Sequence, residues 1–174
     1  MVQSVSEAIR SYNLRENKRI QFGISPFGVW CNIGSNQCVA NGAEGSVTRN
    51  NQSYVTEHAD TLKWIREEWL DYVVPQLYWG FDNLSSTYSH TLDWWANAVK
   101  DTNVNLYSGM ALYRSEEPLN SSNGLGSRPT EIADQIRYNT KHAEVKGSVF
   151  YNYSSFASNR VNLRHSLDII QNEF

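Results

Sequence analysis

Apolar positions recur along this chain with two alternating periods. Val2, Val5, Ile9 and Tyr12 fall on one helical face, so the opening residues read as a surface helix. Residues 20–24 are a short apolar run that predicts a strand, ended by Ser25-Pro26. A polar loop rich in Gly, Asn and Ser follows from Cys31 to about Ser53, and loops that long inside compact domains tend to be functional. A helix is predicted around residues 59–69, with Leu62, Ile65 and Trp69 inward. Residues 72–78, YVVPQLY, are nearly all apolar, the pattern of a strand buried on both faces.

The spacing of Leu92, Trp95 and Val99 predicts a helix over 91–99, and 105–112 read as a third strand. A second long loop, 115–128, carries Pro118, Gly124 and Gly126. Pro129-Thr130-Glu131 opens a helix bearing Ile132 and Ile136; Thr130 is its expected N-cap, and Glu131 and Asp134 its first-turn acids. Residues 147–153, GSVFYNY, form the fourth predicted strand, and a last helix presents Leu163, Leu167, Ile170 and Phe174 on one face. The order α-βα-βα-βα-βα predicts an α/β fold with parallel strands covered by helices.

The 174 residues are expected to form one domain with enough chain to bury a core. Four βα units are half of a (β/α)8 TIM-type barrel, and also enough for a small doubly wound sheet. A doubly wound nucleotide domain needs a Gly-rich turn between strand and helix, and neither G-x-G-x-x-G nor a P-loop is present. The strands end instead in an aromatic, Ser, Gln or Gly before a long loop, where barrels keep their working residues. The pattern therefore favours the half barrel.

Charge narrows the function classes. Lys+Arg 15 against Asp+Glu 18 leaves a net charge of -3, which argues against nucleic acid or an anionic membrane as the main partner. No apolar run approaches the roughly 20 residues of a membrane-spanning helix. Residues 1–10 are polar and do not read as a signal peptide. Cys31 and Cys38, in CNIGSNQC, are too few for a structural zinc site; they are either a local disulfide or two free thiols. His58, His90, His142 and His165 have no second His at metal spacing, and no G-x-S-x-G marks a nucleophilic serine. Glu67 and Glu68, beside Arg66, read as a solvated helix face. Asn-x-Ser triplets at Asn51, Asn83, Asn120 and Asn152 matter only in a eukaryotic secretory cell. No cofactor and no metal is expected.

Trp 6, Tyr 10 and Phe 6 give 13% aromatic residues, enough to fill a core and to line a groove as well. They gather at four strand ends: SPFGVW (25–30), PQLYW (75–79), LYSGMALYR (106–114) and KGSVFYNYSSF (146–156). Sugar-binding clefts combine such rings with amides and hydroxyls, although any one ring could equally cap the interior. Trp30, Trp79, Tyr113 and Asn152 are candidates on this ground. Gln76 ends an apolar strand and needs a partner, either a neighbouring strand or a ligand hydroxyl; Tyr78 shares its face. Tyr107 and Gly109 share a face too, and Gly109 leaves room for a ligand. Among acids, Asp82 follows the second strand and Glu116 and Glu117 the third, the only conceivable in-chain catalytic pair for glycoside hydrolysis; each is also readable as a solvated loop charge.

The segments SPFGVW, ADTLKWIREEWLDYVVPQLYW (59–79), the Trp94-Trp95 pair, NLYSGMALYR and EVKGSVFYNY together resemble the bacterial family of glycoside-hydrolase-10-like cell-envelope proteins, glycosidases that are often lipoproteins. The likeness is close over 19–156. It implies a (β/α)8 barrel, of which this chain would be the C-terminal half, strands 5 to 8, and an extracytoplasmic location. It implies a polysaccharide substrate, since at least one member acts on peptidoglycan glycan strands and prefers strands stripped of stem peptides. It also implies that Gln76 and Tyr78 line the cleft. The family's acidic Asp-Asp-Tyr segment is absent, so the main catalytic acids are expected in a missing N-terminal half. Two other readings stand beside a glycosidase fragment: a non-catalytic carbohydrate-binding module, and a domain that self-associates as a homodimer through its open sheet edges.

Overall fold

The computed structural model describes residues 1–39, 44–117, 125, 130–159, 164 and 167–168. The chain begins with α1 (Val2–Glu16), which stops at Asn17 in the left-handed conformation, φ 50°. Then come β1 (Gly23–Ile24), α2 (Asn36–Val39), α3 (Ser53–Thr56), α4 (Thr61–Arg66) and β2 (Tyr72–Val73). After them follow α5 (Tyr88–Val99), β3 (Asn105–Ala111), a 3-10 turn (Leu112–Glu116), α6 (Glu131–Asn139), β4 (Val145–Tyr151) and α7 (Tyr153–Ser158). The four strands form one parallel sheet in chain order, the arrangement of half a (β/α)8 barrel.

The first two strands are short in regular pairing because Pro26 and Pro75 have no N–H to donate. Their carbonyls still accept, from Gln76 N at 3.0 Å and from Gly109 N at 3.0 Å. The chain thus stays extended through the bridges Phe27–Gln76 and Gln76–Gly109. Gly109 serves this approach: a Cβ there would lie 2.6 Å from the Pro75 oxygen, so the glycine makes room for a neighbouring strand rather than for a ligand.

The apolar layer lies between one face of the sheet and the helices. Leu62 and Ile65 of α4, Leu92, Trp95 and Val99 of α5, and Val73, Leu77 and Leu106 of the sheet are all buried. Full burial of one such side chain contributes roughly 1.5–3 kcal/mol. A polar chain crosses this layer. The Tyr88 hydroxyl lies 2.7 Å from Ser108 Oγ and donates to Asn139 Oδ1 at 2.7 Å, while Asn139 Nδ2 donates to Ser148 Oγ at 3.0 Å. It ties α5, β3, α6 and β4 together. Buried polar groups stay inside only when paired in this way.

The elements depart from expectation at their ends. β1 starts at Gly23 rather than at 20, because Asn13 clasps the backbone of Ile20 in both directions, at 2.8 and 3.0 Å. α1 forms as predicted, yet Val5 and Tyr12 of its apolar stripe stay exposed. α4 is shorter than the predicted 59–69: Asp60 caps it by accepting from Lys63 N, and Leu70 goes inside while Trp69 is half-buried under Lys63. α5 begins three residues earlier than 91. β4 occupies 145–151, and the polar tail of the predicted strand turns into α7, capped by Asn152. Thr130 sits at the N-cap of α6, but its hydroxyl donates to Asp134 Oδ2 at 2.7 Å instead of accepting from a backbone N–H. Of the last predicted helix, Leu163, Ile170 and Phe174 lie outside the described residues; Leu167 packs on the cluster of Met110, Leu112, Leu125 and Ile132.

Of the two states open to the cysteines, the structure has the disulfide: Cys31 and Cys38 are joined, with a Cα–Cα distance of 6.3 Å, and both are fully buried. The long loop after β1 is therefore pinned to the core. Asn32 adds to this, taking Gln52 Oε1 on its N–H at 2.9 Å and donating from Nδ2 to the Asn50 carbonyl at 2.9 Å.

Candidate functional site

Side chains alternate along β3. Leu106, Ser108 and Met110 turn to the helices and are fully buried, so Tyr107, Gly109 and Ala111 face the other side. Gln76 and Tyr78 share that side in the strand next to it, and Tyr151 joins it as the partner of Ala111 across β4. This is the face a closed barrel turns inward. Here it is open: Phe27 is 48%, Val149 47% and Tyr151 56% exposed.

Three tyrosines meet at its carboxyl end. The rings of Tyr78 and Tyr151 stack 6.3 Å apart at 26°. Tyr113, from the turn after β3, stands edge-on to both, at 6.2 Å from Tyr78 and 6.0 Å from Tyr151. Arg114 lies over the Tyr113 ring, its Cζ 5.6 Å from the centroid, and donates from Nε to the Tyr113 hydroxyl at 3.2 Å. Burial raises the pKa of the Tyr78 hydroxyl above its ordinary value; the phenols of Tyr113 and Tyr151 add to the rise and the Arg114 guanidinium opposes it. Tyr78 is accordingly neutral at physiological pH and can both donate and accept. Flat rings with hydroxyls at a strand-end rim suit a sugar, whose C–H face stacks while its hydroxyls hydrogen-bond.

The rim is held from behind by α6. Glu131 Oε1 accepts from Phe81 N at 2.8 Å and from Gln135 Nε2 at 3.0 Å, and Gln135 Nε2 also donates to the Trp79 carbonyl at 3.0 Å. Both side chains are buried. They fix the segment that follows Tyr78. The Trp79 ring lies over Gly28, where a Cβ would come 2.7 Å from ring carbon Cζ3.

The other candidates are spread more widely. Gln76 donates from Nε2 to the Ser25 carbonyl at 3.1 Å, so a neighbouring strand supplies its partner while its oxygen stays on the open face. Tyr107 packs edge-on against Tyr72, 6.0 Å between centroids, near the opposite end of the strands. Trp30 is 1% exposed and sealed in the core, stacked on Trp94 at 5.5 Å and tilted against Tyr54 at 5.1 Å. The cleft was the expected place for its ring; Tyr54 of α3 and Trp94 of α5 enclose it instead. Asn152 accepts from Ser155 N at 3.3 Å as the cap of α7. Asp82 is exposed on the loop after Trp79, while Glu116 and Glu117 close the 3-10 turn beside Arg114, Glu116 accepting from Ser158 Oγ at 2.9 Å.

Tyr151, Arg114, Glu131 and Gln135 were not singled out as site residues by the sequence. Tyr151 lies inside a segment that was, but only the β3–β4 register puts it, and not Asn152, on the open face. A depression of about 450 Å³ lined by Asp101, Asn103, Asn105 and Lys146 lies at the amino-terminal ends of β3 and β4, away from these rings. Among the described residues, no three His, Cys, Asp or Glu side chains are gathered to hold a metal ion, and no helix is long and apolar enough to cross a membrane.

The chain is similar to known proteins along most of its length. The model of the family described as glycosyl hydrolase-like 10 matches residues 1–124. Glycosyl hydrolase YngK of Bacillus subtilis (strain 168) is 34% identical over 167 residues, 96% of this chain and 30% of that protein. Glycosyl hydrolase DigH of Escherichia coli (strain K12) is 31% identical over 153 residues, 87% of this chain and 33% of that protein. The chain thus spans about a third of the length of the curated relatives it matches. It belongs to the glycosyl hydrolase-like 10 family.

Proposed function

We propose that this member of the glycosyl hydrolase-like 10 family supplies the sugar-contacting wall of a glycoside hydrolase that acts on a bacterial envelope polysaccharide, peptidoglycan glycan strands above all. The observation that carries the reading is the Tyr78–Tyr113–Tyr151 rim at the carboxyl ends of three parallel strands, the end where barrels of this kind do their chemistry. Gln76 and Trp79 extend the contact surface, with Tyr107 deeper on the same face and Asn152 beside Tyr151. Trp30 backs the wall from the core. Glycoside cleavage needs two carboxyl groups flanking the bond. Asp82, Glu116 and Glu117 are the in-chain candidates, and an N-terminal half contributed by a longer protein is the other source. A buried disulfide favours an extracytoplasmic setting.

The open inward face supports the same reading. A sheet face bearing exposed Phe27 and Val149 is one that further strands cover. Relatives about three times as long have the chain to supply them. The occupant we infer is the rest of the barrel; a homodimer, seen as twice the chain mass by light scattering, would replace that inference.

The test is incubation with glycan strands lacking stem peptides, with mass spectrometry of soluble products and a parallel pull-down. Binding without products fits the wall reading and assigns the acids to the other half. New saccharide fragments make Asp82, Glu116 and Glu117 the residues to substitute. Absence of both binding and products overturns the proposal.

A further inference from the structure

We infer that the Cys31–Cys38 disulfide sets the order of the loop that follows Trp79, acting through Asn32 and Asn50; the coupling stands whether or not the rim binds a saccharide. The loop over 80–87 carries Asp82, which is exposed, and Leu84, which is 99% exposed. An apolar side chain so far out in water supplies no burial to hold the loop. Polar bonds order it instead. Asn83 Oδ1 accepts from Ser85 N at 3.0 Å and from Ser86 N at 2.8 Å, and Asn83 N donates to the Gly80 carbonyl at 3.3 Å. Two further bonds reach it from the long loop after β1. Arg49 N donates to the Ser85 carbonyl at 2.7 Å, and Asn50 Nδ2 donates to Ser86 Oγ at 2.7 Å. Ser86 is fully buried, so the loss of that partner is costly.

From Asn50 the route runs back to the sulfurs. Asn32 clasps the backbone of Asn50 on both sides: its Oδ1 accepts from Asn50 N at 3.2 Å, and its Nδ2 donates to the Asn50 carbonyl at 2.9 Å. Asn32 follows Cys31 directly in the chain, and the disulfide fixes Cys31. Cys38 comes from α2, a helix of four residues, too short to stay ordered by its own bonds. As free thiols the two residues would leave the 31–39 turn looser, and Asn32 lies within it. Each contact in the series depends on the one before it. Both sulfurs are fully buried, so the bond is made before this loop closes. Making it joins the two sulfurs and passes two electrons and two protons to a disulfide-class oxidant such as oxidised glutathione, whose own S–S bond opens to two thiols. Oxidation during folding thus fixes the loop beside the rim as well as the core.

The experiment is amide hydrogen exchange on the full chain, followed by NMR at Ser85 and Ser86. It compares the oxidised parent, Cys31→Ser with Cys38→Ser, Asn32→Ala, and all three substitutions together. Removing the disulfide is expected to lower protection at both amides about tenfold, the scale of one hydrogen bond. With Asn32→Ala already present, the same removal should have a much smaller effect, because the route is already cut. Unchanged protection after loss of the disulfide overturns the coupling. An equal fall in both backgrounds, the mark of a general loss of stability, overturns the route through Asn32. If the variants lacking the disulfide do not fold, judged by circular dichroism, Asn50→Ala in the oxidised chain decides alone. Protection of Ser86 should then fall about tenfold, and unchanged protection overturns the proposal. Saccharide binding enters none of these readouts, so failure here leaves the proposed function standing.

Discussion

Gln135, on α6, donates from Nε2 to the carbonyl oxygen of Trp79, 3.0 Å away and 56 residues earlier in the chain. One buried amide thus fixes the segment that carries the tyrosine rim, and Glu131 orients that amide from one helical turn before it. Gln135→Leu removes the donor and leaves the Trp79 oxygen unpaired inside. The expected cost is about 1–3 kcal/mol, read from urea unfolding. A saccharide affinity that falls in the still-folded variant would separate positioning from stability; unchanged affinity would reduce Gln135 to a structural strut.

Tyr88 is the hub of the buried polar chain, and Tyr88→Phe deletes the hydroxyl that meets both Ser108 and Asn139. The loss is expected at about 1–3 kcal/mol at neutral pH, because two partners are left underbonded.

The same residue sets a pH dependence. Burial raises the folded-state pKa of Tyr88 far above its ordinary value of about 10, the bonds from Ser108 and Asn139 opposing only in part. Below about pH 10 the proton is held in both states and this contribution to stability is fully present. Above it the unfolded chain releases the proton while the folded one keeps it, so stability falls as pH rises towards the folded value. Chemical denaturation midpoints between pH 9 and 11 should therefore decline less steeply in Tyr88→Phe than in the parent.

Gly109→Ala places a methyl 2.6 Å from the Pro75 carbonyl oxygen, a backbone atom that cannot swing away. The two strands must part, at an expected cost of about 1–3 kcal/mol. A thermal melt within a degree of the parent would contradict the strand contact described.

Reducing the Cys31–Cys38 bond, or replacing it by Cys31→Ser with Cys38→Ser, frees a short loop, with residues seven apart in sequence rejoined only by the fold. Chain entropy for a loop of this size predicts a loss of about 2–3 kcal/mol. Because both sulfurs are fully buried, reductant should act only under partly denaturing conditions, and a thiol assay against denaturant would show it.

Much of this architecture is local physics and was legible in advance. The spacing of Leu92, Trp95 and Val99 and the apolar run over 72–78 each report a buried face through a period of 3.6 or through continuous burial. Four such alternations are enough to specify parallel strands with covering helices, and the resemblance of five ordered segments named the family. Element ends were less legible. Asn13 holding Ile20, and Asp60 capping α4, are contacts of single side chains that leave no periodic trace.

The site was legible as a set of strand ends and not as an arrangement. Tyr78 and Tyr113 could be marked because flat rings beside polar groups at a strand's carboxyl end suit a sugar. Tyr151 could not be separated from Asn152, since a one-residue change of register turns every side chain to the other face and the β3–β4 pairing alone decides it. Trp30 and Trp79 show the same limit: two tryptophans at two strand ends, one sealed in the core against Tyr54 and Trp94 and one over Gly28 at the rim. Composition and period determine which residues need burial. Which ring is covered and which amide reaches across 56 residues to hold a carbonyl depend on how the elements pack, because those contacts join parts of the chain that share no local signal.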